Sequence, residues 1–99
     1  MSEVQRTAIV TGGARGIGRA ISEKLAMDGL CVCLADKDKE AADLEAARIK
    51  STEMVCSLEV DVSSRSSRER MFAEASSQIG NIDVLICNAG IMDGAHLLI

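Results

Sequence analysis

Residues Thr11-Gly12-Gly13-Ala14-Arg15-Gly16-Ile17-Gly18 place four glycines within eight positions, directly after an apolar run and directly before a helical pattern. Glycine lets a backbone turn tightly and approach a phosphate closely. A helix opening behind it offers unpaired N–H groups and the positive end of its dipole to an anion. The chemistry on offer is binding of a nucleotide diphosphate by geometry, without a dedicated charge. Asp36 stands 20 residues beyond Gly16, the spacing at which a carboxylate accepts hydrogen bonds from the hydroxyls of an adenosine ribose. The same carboxylate would repel a 2′-phosphate, so Asp36 favours NAD over NADP. Arg15 pulls the other way, because a guanidinium beside the turn can pair with a phosphate, a 2′-phosphate included. Asp36 outweighs it by occupying the ribose-discriminating position itself. The alternative role for Asp36 is to cap a helix beginning near Asp38, and the two roles are compatible.

Two further groups fall at strand ends. Asp61-Val62 follows a third apolar run, where a polar side chain and a backbone amide can meet adenine; the plainer reading is a turn that opens a helix. Asn88-Ala89-Gly90 ends a fourth run, where small residues leave room for a cofactor against the backbone. No Walker-type Gly-Lys-Ser/Thr is present, which argues against other nucleotide-binding folds of that type. Cys31, Cys33, Cys56 and Cys87 each lie in an expected strand, where a thiol serves as a small apolar filler. Cys31 and Cys33 would share one strand face, and His96 is the sole histidine, so no metal site is expected. His96 reads as an exposed residue rather than a catalytic acid.

These groups need elements to hold them. Thr7–Val10 reads as a first strand, and Ile17, Ile21 and Leu25 recur on one face of the helix behind the turn. Gly29 stands where a helix stop belongs, and Leu30–Ala35 is a continuously apolar second strand that must be covered on both faces. Asp38 to about Ser51 reads as a second amphipathic helix with Ala41, Leu44, Ala47 and Ile49 inward. Met54–Glu59 is the third strand. Ser66 and Glu69 form a capping-box pattern for a third helix with a stripe of Met71, Phe72, Ala75 and Ile79 and a stop at Gly80. Val84–Cys87 is the fourth strand. The alternation β-α-β-α-β-α-β predicts an α/β fold, a Rossmann-like doubly wound parallel sheet cut to about four strands and three helices, with right-handed crossovers.

The chain has 99 residues, 47% of them hydrophobic, enough for one folded domain spanning residues 1–99. Eleven basic against 15 acidic residues give a net charge of −4. The basic residues are scattered, which argues against a nucleic-acid partner. No run is long and apolar enough for a membrane span, and Met1–Arg6 lacks signal-peptide features, so a cytoplasmic location is expected. Proline is absent and Phe72 is the one aromatic residue, which leaves a core of small aliphatic groups.

In order and spacing, Thr11-Gly12-x-x-x-Gly16-Ile17-Gly18, Asp36, Asp61-Val62 and Asn88-Ala89-Gly90 resemble the classical short-chain dehydrogenase/reductase family of NAD(P)-dependent oxidoreductases. The resemblance covers nearly the whole chain. It implies that Gly12, Gly16, Ile17 and Gly18 line the pyrophosphate, Asp36 meets the ribose, and Asp61 with Val62 meets the adenine. By the same resemblance Asn88, Ala89 and Gly90 steady the central sheet and border the cofactor. Cys87 departs mildly from the asparagine many members carry there.

A larger departure concerns catalysis. Family members carry a serine and a Tyr-x-x-x-Lys pair in a later half, whereas this sequence contains no tyrosine. The resemblance therefore implies the cofactor-binding half of an oxidoreductase that interconverts an alcohol and a carbonyl, with no catalytic residue among these 99. The open fourth strand would then invite self-association or pairing with the missing half. The alternatives are a short natural nucleotide-binding or subunit-interaction module and another Rossmann-type protein such as a methyltransferase.

Overall fold

A computed structural model describes residues 6–49 and 51–88. Four strands, β1 (Thr7–Thr11), β2 (Cys31–Asp36), β3 (Val55–Glu59) and β4 (Val84–Cys87), alternate with three helices, α1 (Gly16–Met27), α2 (Lys39–Arg48) and α3 (Arg65–Ile79). The strands form one parallel sheet in the order β3-β2-β1-β4. Placing β1 and β2 in the middle explains their composition. Both are buried along almost their whole length, which suits strands covered on two faces.

The pleat then sorts the apolar residues into two cores. Ile9, Cys31, Cys33 and Ala35 point to the face packed by Met71, Ala75 and Ile79 of α3. Val10, Val32 and Leu34 point to the opposite face, with Ala26 of α1 and Ala42 of α2. Helices therefore lie on both sides of the sheet, the Rossmann-like arrangement that the strand–helix alternation predicts.

Three helix details differ from the sequence reading. In α1 the buried stripe is Gly18, Ser22 and Ala26, small residues that let the helix approach the sheet. Of the apolar face expected for α1, Ile21 and Leu25 are half-buried against the core, while Ile17 is 60% exposed at a shallow apolar groove. In α2 only Ala42 is fully buried, and Leu44 is 71% exposed; the helix ends at Arg48 rather than near Ser51. In α3 the cap is Ser64, whose side chain accepts from the Ser67 amide, so the helix opens two residues before the expected Ser66–Glu69 box. Phe72 stands beside the buried stripe, 38% exposed. The helix stops are as expected: Gly29 and Gly80 sit at φ +94° and +87°, in the left-handed region that glycine tolerates best.

Candidate functional site

The carboxyl ends of parallel strands gather the loops that lead into the helices, and the glycine-rich turn between β1 and α1 lies there. Gly12 and Gly16 adopt φ of +66° and +54°, backbone that a β-branched residue resists. The two later glycines of the turn do different work. A Cβ on Gly16 would meet nothing within 4 Å, whereas one on Gly18 would stand 2.0 Å from the Gly12 carbonyl and 2.6 Å from Asn88 Nδ2. Gly18 thus lets α1 pack against the turn, and Gly16 leaves space open in front of it. The first helical amides, from Gly16 onward, have no intrahelical acceptors. The Arg15 side chain preceding them makes no capping hydrogen bond.

Backbone and carboxylates fasten this turn to the end of β2. Gly13 N–H donates to the Ala35 carbonyl at 3.3 Å. Ala14 N–H donates to Asp36 Oδ2 at 3.2 Å, and the other Asp36 oxygen accepts from Asp38 N–H at 3.0 Å. Half-buried Asp36 therefore stands against the turn, and its second sequence reading is corrected in one respect. The side chain that caps α2 is Asp38, which accepts from Ala41 N–H at 3.1 Å, while Asp36 orients the residues before the cap. Arg15 forms an ion pair with Asp38 across the same gap.

On the other side the turn is fastened to β4. Asn88, 6% exposed, donates from Nδ2 to the Gly12 carbonyl at 3.2 Å and from its backbone to Thr11 Oγ1 at 3.0 Å. Thr11 Oγ1 in turn donates to the Ile86 carbonyl at 3.3 Å. Residues 89 and 90, which include the expected Ala89 and Gly90, lie outside the described residues, as does His96.

Asp61 and Val62 occupy the β3–α3 turn. Asp61 Oδ1 accepts from both the amide and the hydroxyl of Ser63 at 3.0 and 2.6 Å, and Asp61 N–H donates to Ser67 Oγ at 2.9 Å. The Ser63 hydroxyl, then its amide, hold the Asp61 carboxyl below the usual carboxylate range, with the Lys37 charge helping. The Val62 carbonyl accepts from Arg68 at 2.7 Å, and its side chain packs on the α3-side core. A helix-opening turn, the plainer of the two sequence readings, is what this geometry forms.

The thiols behave as packing. Cys31, Cys33 and Cys56 are buried and unbridged. Cys33 and Cys56 are register partners in neighbouring strands, and the Cys56 contact together with burial pushes the Cys33 thiol far up, which keeps it protonated and inert. Cys87 is exposed on β4, unlike the fully packed thiol expected. No cluster of three or more metal-ligating side chains occurs among the described residues, and no described helix is long and apolar enough to cross a membrane. Sequence reasoning missed Ser22, whose Oγ donates to the Gly18 carbonyl at 2.8 Å and would lie 3.1 Å from a Cβ on Gly13. Its small side chain at the i+4 position from Gly18 was the available signal.

A parallel Rossmann-like sheet with a glycine turn at its carboxyl edge defines a dinucleotide-binding class of fold, and the comparisons make it specific. The family model described as short chain dehydrogenase matches residues 6–98. The chain belongs to this family of oxidoreductases, whose members bind NAD(P). It is 40% identical over 93 residues to the sorbitol dehydrogenase of Cereibacter sphaeroides, covering 94% of this chain and 36% of that protein. It is 39% identical over 102 residues to the L-2,3-butanediol dehydrogenase of Corynebacterium glutamicum, covering 96% and 38%. Among solved structures, a hydroxysteroid dehydrogenase from Escherichia coli superposes with a TM-score of 0.82 at 29% identity, over 86% of this chain and 37% of that one. The chain thus spans little more than a third of the length of the relatives it matches.

Proposed function

We infer that this chain is the cofactor-binding part of an NAD-dependent short-chain oxidoreductase that interconverts an alcohol and a carbonyl. The observation that carries the reading is the open left-handed Gly16 at the uncapped head of α1, set beside the Asp36 carboxylate that grips the same turn. Gly12, Gly16, Ile17 and Gly18 form the pyrophosphate cradle, Gly16 by the space in front of it and Gly18 by bringing the helix end close. Asp36 accepts from the ribose hydroxyls and disfavours a 2′-phosphate, which makes NAD the preferred cofactor over NADP. Asp61 and Val62 flank the adenine, and Asn88, Ala89 and Gly90 border the cofactor where β4 ends. The bound nicotinamide would give or take a hydride at the substrate carbon. The part played by these residues is to bind and orient it. No tyrosine is available among them to share a proton with the substrate oxygen.

Calorimetric titration of the purified protein with NAD and then NADP tests this, with circular dichroism reporting the fold. Saturable binding with NAD tighter is expected, and Asp36→Ala should narrow the difference between the two cofactors. A folded protein that binds neither defeats the cofactor reading. Unchanged relative affinities in Asp36→Ala defeat the ribose assignment alone.

A further inference from the structure

Arg15 is the feature that the NAD reading leaves over, since a guanidinium next to the glycine turn is suited to a phosphate. The structure shows what occupies it. Consecutive residues of the turn are stitched to the β2–α2 connection, the Ala14 amide to Asp36 and the Arg15 guanidinium to Asp38. One Asp38 carboxylate does two things: Oδ1 caps α2 through Ala41 N–H at 3.1 Å, and Oδ2 pairs with Arg15. Its cap fixes its position, because the carboxylate cannot follow Arg15 outward without giving up the Ala41 amide. Asp36 reinforces that position by accepting from Asp38 N–H at 3.0 Å.

We propose that Asp38 is a positioning residue for cofactor choice, holding Arg15 against the β2–α2 connection and thereby denying its guanidinium to a 2′-phosphate. The inference rests on the NAD-binding reading above and deepens it. Asp36 rejects the 2′-phosphate by its own charge, whereas Asp38 acts through Arg15 as well as by adding a second negative charge nearby. An exposed ion pair is weak in isolation. The hold on Arg15 is therefore modest and acts together with the repulsion that the Asp38 charge exerts on a 2′-phosphate; once Asp38 is neutral both are lost, and Arg15 can donate charge-assisted hydrogen bonds to the phosphate.

The test is the ratio of NADP to NAD affinity, measured by calorimetry on the purified protein and on Asp38→Asn, Arg15→Ala and the double variant. Asparagine keeps the helix cap and removes the charge; Asp38→Ser is a second capping variant should Asp38→Asn not fold. The ratio is expected to shift toward NADP by about three- to tenfold in Asp38→Asn. In the Arg15→Ala background the same change should move it far less. A purely structural role for Asp38 would weaken both cofactors together and leave the ratio in place, which overturns the proposal. An unchanged ratio in Asp38→Asn, with Asp36→Ala still shifting it, overturns this inference and leaves the cofactor reading standing. A folded parent protein that binds neither cofactor overturns both.

Discussion

The β1–α1 and β3–α3 turns occupy the same edge of the sheet and make the same change from strand to helix, yet they are built in opposite ways. The β3–α3 turn closes on itself. Asp61 takes two hydrogen bonds from Ser63, Ser67 receives the Asp61 amide, Arg68 reaches back to Val62, and Ser64 caps the helix. The β1–α1 turn is fastened from behind, by Asp36 on one side and Asn88 on the other, while its front is left without a capping side chain. Local side-chain bonding is the ordinary way to satisfy the amides at a helix start. A turn that forgoes it and is braced from outside leaves its amides without a side-chain acceptor, the arrangement that the proposed phosphate cradle requires.

The contrast is broken most forcefully at Gly18. A single methyl group there meets backbone at 2.0 Å, and neither the Gly12 carbonyl nor α1 can yield cheaply. Gly18→Ala is expected to cost on the order of 3 kcal/mol or more of stability, read as a large fall in the midpoint of thermal or denaturant unfolding. A variant as stable as the parent would mean that α1 is not seated on the turn in this way.

Gly16 makes the converse case two residues earlier. Its Cβ would enter open space, so Gly16→Val should disturb the fold only through left-handed strain, about 1–2 kcal/mol. It should nonetheless abolish dinucleotide binding. Calorimetry on the folded variant decides the matter, because normal NAD affinity there would show that the space is not a cradle.

The fold was legible because each element carries its period in its own residues. Central strands such as Cys31–Asp36 are apolar throughout, Gly29 and Gly80 mark stops that only left-handed backbone explains, and the strand–helix order dictates a parallel sheet. The faces of the helices were harder to read. The sequence places Ile17, Ile21 and Leu25 on one face of α1, and Ile21 and Leu25 do pack at the edge of the core; but close approach to a sheet selects the smallest side chains, and Gly18, Ser22 and Ala26 are the ones fully buried. In α3, serines at 63, 64, 66 and 67 offered several equivalent caps, and only the contact of Ser64 with the Ser67 amide distinguishes them. Within the candidate site, the juxtaposition of Asp36 with the glycine turn follows the spacing in the sequence. The partner of Arg15 was not legible, because an ion pair across 23 positions leaves no local pattern.

Asp61 offers the smallest and most discriminating perturbation, since it belongs to the closed turn and is also the residue proposed to meet adenine. Ser63 holds its carboxyl below the ordinary carboxylate range, so the folded state binds the Asp61 proton less readily than the unfolded chain does. The stabilisation this gives is fully present above the ordinary carboxylate value of about pH 4. It is lost as pH falls through the depressed folded value. Asp61→Ala should therefore be less stable than the parent near neutrality, with the difference closing in acid; unfolding midpoints measured across that range would show it. A difference that stayed constant with pH would mean that packing, rather than the charged hydrogen bonds to Ser63, accounts for the loss. The same variant should weaken NAD only severalfold, the scale of one hydrogen bond, because the Asp61 carboxylate is already committed to its own turn. A loss as complete as that expected for Gly16→Val would place the adenine contact on a par with the phosphate cradle and erase the distinction between the two turns.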